Sequence, residues 1–164
     1  MKSEKFQVDT MELINEMKVC FQARGENEAF ARISVTGFLT YINPTIDEIE
    51  DIRMAVSEAV TNAIIHGYEE KPGAIVYVSA MLYRYKKGHL LQIVVEDTGK
   101  GIEDVEQAME PMFTTKPEWE RAGMGFAFMH AFMDEVIVES EPLKGTSVML
   151  MKCLIPYEER VYEG

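Results

Sequence analysis

The sequence predicts an α+β protein, a two-layer α/β sandwich in which helices cover one face of a mostly antiparallel, mixed sheet. Three observations predict it: two helical patterns early in the chain, a β-rich hairpin after them, and a later helix followed by a second hairpin. Grouped helices and hairpins favour this architecture because each element must bury its apolar face against another layer. The 164 residues suit one compact domain.

The N-terminal region is predicted to lie outside this domain. Residues 1–16 are polar, so we expect an N-terminal extension there, and the first short strand is expected over 17–21. The domain is predicted to span residues 17–156, and a C-terminal tail is predicted over 157–164.

Two helices are predicted before the first hairpin. An amphipathic pattern indicates a helix over 26–41. The next helix is expected to start at Thr45, because Thr45 and Glu48 have the spacing of a capping box. Its apolar residues recur every three or four positions from 49 to 64, which is typical of a buried helical stripe. Gly67 follows the last helical residues and is expected to be the C-cap.

The remaining elements are predicted from a change of period. β-branched and aromatic residues indicate strands over 75–85 and 90–96, joined by a turn into an antiparallel hairpin. After them we expect a short acidic helix, a longer helix and the two strands of a second hairpin, over 103–110, 125–134, 135–140 and 146–154.

Composition excludes several classes of protein. The formal net charge is −12, and no concentrated basic patch is visible, so binding to a nucleic-acid backbone is not expected. No window approaches the roughly 20 continuous apolar residues of a membrane span, and the first residues lead into no apolar signal region. Cys20 and Cys153 have no metal-ligand spacing. We therefore expect a cytoplasmic protein whose partners are proteins or small molecules.

The first cluster of candidate functional residues lies on the second helix. Glu58 and Asn62 are four residues apart, so they share one helix face. An Asn side-chain oxygen suits Mg²⁺, and a Glu one turn earlier is placed to accept a proton from an attacking hydroxyl. The alternative is a solvated polar edge with a hydrogen bond between the two side chains.

The second cluster follows the strand predicted over 90–96. Asp97 is able to accept a hydrogen bond from an exocyclic amino group such as that of adenine. Gly99 and Gly101 allow the backbone to approach a flat ligand, because no Cβ stands in the way. The alternative is an ordinary glycine-rich turn.

The third cluster lies in the loop before the helix predicted over 125–134. It combines Thr114, Thr115 and Arg121 with Gly123 and Gly125 at a helix N-terminus. Hydroxyls, a cation and exposed backbone N–H groups are suited to a polyphosphate. The loop has no Walker A pattern. The alternative is a surface loop without a ligand.

The order and spacing of the three clusters resemble those of the GHKL, or Bergerat, family of ATP-binding domains. The resemblance covers roughly residues 17–154. Its conserved motifs correspond to the N box at Glu58 to Asn62, the G1 box at Asp97-x-Gly99-x-Gly101, the G2 box at Gly123-Met124-Gly125, and the ATP lid at Thr114 and Thr115. Within the family, the runs 57–68, 113–117 and 120–126 are most similar to the anti-sigma branch, whose members are serine-protein kinases of spore formers.

The resemblance implies a role for each cluster. Asn62 would ligate Mg²⁺, Glu58 would be the general base, and Asp97 would bind adenine in a pocket shaped by Gly99 and Gly101. The phosphates of ATP or ADP would be held by a larger set: Thr114, Thr115, Arg121, Gly123, Met124 and Gly125. Many family members have a Gly where Arg121 stands. A guanidinium there would stabilise the charge of the transferred phosphoryl group.

The resemblance also implies partners. The protein would bind and inhibit sporulation sigma factor F, or a related sigma factor, and would use MgATP to phosphorylate a serine on its anti-anti-sigma factor. A homodimer is implied as well. One alternative is an anti-sigma switch kinase of a stress regulon. A second is the catalytic ATPase domain of a histidine kinase, but no histidine precedes His66 to accept a phosphoryl group. A third is a nucleotide-binding module without catalysis, which would not need Glu58.

Overall fold

Segments rich in β-branched and other apolar residues form five strands that join in one sheet. The computed structural model describes residues 1–69, 71–110 and 124–155. Within them, the strands are β1 (Leu13–Gln22), β2 (Ile75–Tyr85), β3 (Gly88–Asp97), β4 (Glu135–Glu141) and β5 (Gly145–Leu154). The sheet order is β1-β2-β3-β5-β4. Every strand pair among these described residues is antiparallel, so the parallel component of the mixed sheet expected from the sequence is not found there.

Helices cover one face of the sheet, as the sequence predicts. They are α1 (Asn27–Phe38), α2 (Ile46–Asn62), α3 (Val105–Met109) and α4 (Gly125–Phe132). The main core lies between α1, α2, α4 and the sheet, and includes the fully buried Ile52, Val56, Leu82, Leu91 and Ile93. The predicted α+β two-layer fold is therefore confirmed. Within the described parts of the chain, no helix has the length and apolar character required to cross a bilayer.

The second face of the sheet carries a smaller core that the sequence did not predict. Phe6 is only 3% exposed and packs with Leu90, Met149 and Met151, and its ring meets that of Tyr85 edge-on at 5.6 Å. The strand expected over 17–21 begins at Leu13. Within the segment expected as an extension over 1–16, residues 13–16 belong to β1, which pairs with β2, and Phe6 packs on the second face of the sheet.

Hydrogen bonds hold the N-terminal segment at the edge strand β4. The Glu135 carboxylate accepts hydrogen bonds from the Ser3 hydroxyl and from the backbone N–H groups of Glu4 and Lys5. The Lys5 ammonium donates to the Asp134 carbonyl at 3.2 Å. These contacts direct the chain so that Phe6 reaches its site.

We expect Phe6→Ala to lower the free energy of unfolding by about 1.5–3 kcal/mol, the value of burying one such side chain. Urea unfolding would measure it, with Phe30→Ala as the control because Phe30 is 49% exposed. Equal losses in the two variants would contradict a specific site for Phe6.

Helix α2 begins where the sequence predicts, whereas α1 ends earlier than expected. The capping box of α2 is confirmed: Thr45 Oγ1 accepts from Glu48 N at 3.2 Å, and Thr45 N donates to Glu48 Oε2 at 2.9 Å. The helix expected over 26–41 ends at Phe38, and a 3₁₀ turn (Thr40–Ile42) follows. Asn43, with φ of 50°, then reverses the chain before α2.

Gly67 does not act as the predicted C-cap. The chain leaves α2 through a π-helical turn (Ala63–Gly67), closed by a hydrogen bond from Tyr68 N to the Ala63 carbonyl at 3.1 Å. The residue with positive φ is Glu69, two positions later. Glycine is required at position 67 because of its close contact with Asp97 in the neighbouring cavity.

Candidate functional site

A cavity of about 620 Å³ lies between the C-terminal end of α2 and the sheet. Its size is within the range of small-molecule sites. The π-helical turn, the end of β3, α3 and the first turn of α4 form its wall. The helix expected over 103–110 is present as α3, where Asp104 accepts a hydrogen bond from Gln107 N at 2.9 Å. The cavity therefore lies where the first and second clusters converge.

Glu58 and Asn62 meet the start of α4. A Cβ on Gly125 would lie 3.2 Å from Glu58 Oε2 and 3.3 Å from both polar atoms of the Asn62 amide. Asn62 lines the cavity, and both side chains are half-buried. Because Gly125 has no side chain, a carboxylate, an amide oxygen and a helix N-terminus come together at one point.

Asp97 places a buried carboxylate in the cavity wall. Its side chain accepts a hydrogen bond from Gly99 N at 2.9 Å, and Thr146 lies opposite it on the paired strand β5. Burial raises the pKa of Asp97 above its ordinary value, although the backbone N–H groups of Gly99 and Thr146 act in the opposite direction. Asp97 is 7% exposed, so water would screen the charge of its ionised form only weakly.

Gly67 leaves room for this carboxylate. A Cβ on Gly67 would lie 2.7–2.8 Å from the carboxyl atoms of Asp97. The absence of a side chain at Gly67 thus allows the helix end and the β3 turn to touch. This close approach, and not a left-handed conformation, is why glycine is needed.

Two of the glycines expected in the pocket permit similarly close backbone contacts. A Cβ on Gly99 would lie 2.0 Å from the Gly67 carbonyl oxygen. Gly101 has φ of +72°, and a Cβ there would lie 2.2 Å from the Glu141 carbonyl oxygen. Gly101 also lines the cavity.

The structure brings four of the candidate residues to the cavity wall: Asn62, Asp97, Gly101 and Gly125. Glu58 and Gly99 touch residues of that wall. Met124 is the residue immediately before α4, and its carbonyl accepts from Phe128 N at 2.9 Å. The other candidates lie outside the described residues: Thr114, Thr115, Arg121 and Gly123.

Sequence reasoning missed several residues of the site. Leu143 has φ of 65°, and its N–H donates to the Lys100 carbonyl at 2.7 Å, which places it at the cavity rim. Thr146 reaches Asp97 only through pairing of β3 with β5. The sequence offered no local signal for these two. Gly67 was noticed, but its role depends on Asp97, which is thirty residues away in the chain.

Comparison with known proteins identifies a family model, solved structures and relatives that are similar to this chain. The family model described as a histidine kinase-like ATPase domain matches residues 21–152. Two solved structures are similar in fold. The RsbU and RsbW domains of a Mycobacterium tuberculosis protein give a TM-score of 0.60 at 22% identity, covering 85% of this chain and 32% of that chain. The mycobacterial sensor histidine kinase MprB gives 0.50 at 18% identity, covering 87% and 99%.

Relatives at much higher identity share one description, "Anti-sigma F factor". That of Anoxybacillus flavithermus is 51% identical over 140 residues, which is 85% of this chain and 93% of the relative. That of Geobacillus stearothermophilus is 54% identical over 138 residues, 84% and 92% of the two chains. That of Clostridium kluyveri is 51% identical over 138 residues, 84% and 94%. The chain, with its histidine kinase-like ATPase domain, therefore belongs to the anti-sigma F factor family.

Proposed function

We propose that this protein binds and inhibits sporulation sigma factor F and phosphorylates a serine of its anti-anti-sigma factor with MgATP. One observation carries the proposal: a buried carboxylate, Asp97, faces the same cavity as Asn62, with Glu58 adjacent at Gly125. Base recognition, metal binding and proton transfer are thus assigned to separate points around one site.

The cavity fits an adenine nucleotide. Asp97 accepts a backbone hydrogen bond from Gly99 N, and a carboxylate has further lone pairs with which to accept from the adenine amino group. Gly67, Gly99 and Gly101 permit the close contacts that bring the segments of this wall together. The apolar Val95, Ile102 and Phe126 contribute surface against which a flat ring would pack.

The donor set also fits Mg²⁺ bound together with phosphate. Among residues 1–69, 71–110 and 124–155, no group of three or more His, Cys, Asp and Glu side chains is placed to hold a metal ion. The amide oxygen of Asn62 is a hard neutral ligand, and Mg²⁺ usually completes its shell with water and substrate phosphates. When bound, Mg²⁺ would neutralise the developing charge on the phosphates.

Glu58 is the proposed general base. As the serine Oγ forms its bond to the γ-phosphorus, the Glu58 carboxylate accepts the hydroxyl proton, and the bond from phosphorus to the bridging oxygen breaks to release ADP. The N-terminus of α4 lies beside it, because Gly125 is the first residue of that helix. By resemblance to the family, Thr114, Thr115, Arg121, Gly123, Met124 and Gly125 are the residues proposed to hold the phosphates, and Arg121 is proposed to stabilise the transferred group.

The relatives' shared description supports a sigma factor as partner, and the family resemblance is the basis for the other assignments. We propose a sigma factor of the F type, an anti-anti-sigma factor as the protein substrate, a homodimeric state and a cytoplasmic location. A stress-regulon switch kinase is the second candidate, since it would use the same chemistry at the same residues.

Reconstitution with purified proteins would test the proposal. The protein is incubated with labelled MgATP and a sigma factor F, with and without its serine-bearing antagonist, from a related spore former. We expect nucleotide-dependent sigma binding and transfer of label to serine. Transfer to histidine, or binding only to a stress sigma factor, would contradict it.

Asp97→Asn is expected to weaken ATP and ADP binding alike, by about 1–3 kcal/mol, because an amide offers the adenine amino group a poorer acceptor. Calorimetry would measure the two dissociation constants. Asp47→Asn, on the exposed first turn of α2, is the matched control and should bind normally. An unaltered dissociation constant in Asp97→Asn would remove this residue from the site.

A further inference from the structure

The hydroxyl of Tyr68 connects three parts of the chain behind the cavity wall. It donates to the Ile75 carbonyl at 2.6 Å and accepts from Thr98 N at 2.7 Å. The Thr98 hydroxyl lies 3.1 Å away. A phenol has one proton and two acceptor positions. Since that proton goes to Ile75, the Thr98 hydroxyl is the donor, and the capacity of the Tyr68 hydroxyl is fully used.

The end of the π-helical turn holds the turn that follows Asp97. Thr98 N donates to Tyr68, Gly99 N donates to Asp97 Oδ1 at 2.9 Å, and Lys100 N donates to the Gly67 carbonyl at 2.9 Å. Three consecutive N–H groups are therefore held by hydrogen bonds, and the acceptors of two of them belong to Gly67 and Tyr68.

Tyr68 itself stays out of the cavity. Its neighbour Gly67 and the carboxylate of Asp97 form the wall, whereas Tyr68 is 8% exposed and belongs to the core between helices and sheet. Tyr68 therefore acts on a ligand indirectly, through the turn that carries Asp97. If Thr98 N lost its acceptor, Gly99 N would no longer be held in line with Asp97 Oδ1.

We propose that Tyr68 is a positioning residue that sets the selectivity of this site for adenine over guanine nucleotides. The inference rests on the proposed function, because it assumes that Asp97 binds the base. Adenine presents an amino donor at the position where guanine presents a carbonyl acceptor. A carboxylate held in place attracts the adenine amino group and repels the guanine carbonyl. A carboxylate that moves distinguishes less between the two bases.

The test compares Tyr68→Phe with wild type and with Tyr41→Phe, in which an exposed tyrosine loses the same hydroxyl. Calorimetry gives dissociation constants for MgATP and MgGTP. In Tyr68→Phe we expect ATP binding to weaken by about 10-fold, with little change for GTP, so the ATP-to-GTP selectivity falls by the same factor. Phosphoryl transfer at saturating ATP should keep its kcat while KM rises.

Two further measurements separate positioning from stability. The Thr98 amide should exchange faster in nucleotide-free Tyr68→Phe than in wild type. In an Asp97→Asn background, Tyr68→Phe should have little further effect on ATP binding. If Tyr68→Phe unfolds, Thr98→Ala removes the hydroxyl donor alone, and a smaller fall in selectivity is expected.

The outcomes are distinguishable. A wild-type protein that binds ATP and GTP equally would overturn the assignment of Asp97 to the base, and this inference with it. Failure of the proposed function would instead appear in the reconstitution, as transfer to histidine or as binding only to a stress sigma factor. A selective wild type with an equally selective Tyr68→Phe would overturn the inference alone, as would equal weakening of ATP and GTP.

Discussion

Replacing Glu58 with Gln is expected to slow phosphoryl transfer by about 10²–10⁴-fold while leaving MgATP binding close to that of wild type. The glutamine keeps the size and most of the hydrogen bonding of the side chain, but it cannot accept the serine proton. The serine proton is transferred only in the transition state, so the substitution should lower the rate of phosphoryl transfer and not the affinity for MgATP.

The design has two comparison variants on the same helix. Asn62→Ala should weaken MgATP binding and reduce transfer and sigma capture together, because metal coordination matters before and during the reaction. Glu50→Gln changes an exposed carboxylate that pairs with Arg53 at 2.8 Å and should behave as wild type. Transfer to the antagonist and sigma retention with MgATP are measured for each protein. Normal transfer by Glu58→Gln would exclude it as the base.

Gly99→Ala is expected to remove most nucleotide binding, a loss of about 2–3 kcal/mol or roughly 100-fold in affinity. The added methyl group would lie 2.0 Å from the Gly67 carbonyl oxygen, which belongs to the backbone and cannot rotate away. The turn must therefore separate from the helix end. That separation breaks the contact from Lys100 N to Gly67 and displaces the neighbouring Asp97.

Gly37→Ala is the matched control, because nothing lies within 4 Å of a Cβ at that position of α1. It should bind nucleotide normally and lose no stability, since alanine has a higher helix propensity than glycine. Calorimetry and thermal unfolding would report on both variants. Normal ATP binding by Gly99→Ala would show that the helix end and the turn need not touch.

Local patterns account for the elements that the sequence predicted correctly. The capping box joins Thr45 and Glu48, which are three residues apart, so the sequence alone was enough to predict the hydrogen bonds found in the structure. The strand over 75–85 was predicted with its observed bounds because it is rich in β-branched and aromatic residues and a turn follows it at once. The clustering of Asp97 with Asn62 was expected only from family spacing, since no local rule joins two residues 35 positions apart.

Long-range contacts account for what the sequence did not show. Phe6 looked like one aromatic residue in a polar lead-in, and its burial depends on Leu90, Met149 and Met151 from two central strands. Gly67 looked like a helix terminator until Asp97 was placed against it. Tyr68 looked like an ordinary residue after a helix, and only its bonds to Thr98 and Ile75 give it a role.

By itself, the sequence determined the layers of the fold, the hairpins and the residue types from which the candidate site is built. Those features follow from periodicity and from preferences within a few residues. Only the tertiary structure decided which glycines are needed, that Asp97 is buried, and that its turn is held from behind by Tyr68. These features depend on close approach, desolvation and hydrogen-bond geometry between segments that are distant in sequence. They arise only when the sheet brings those segments together.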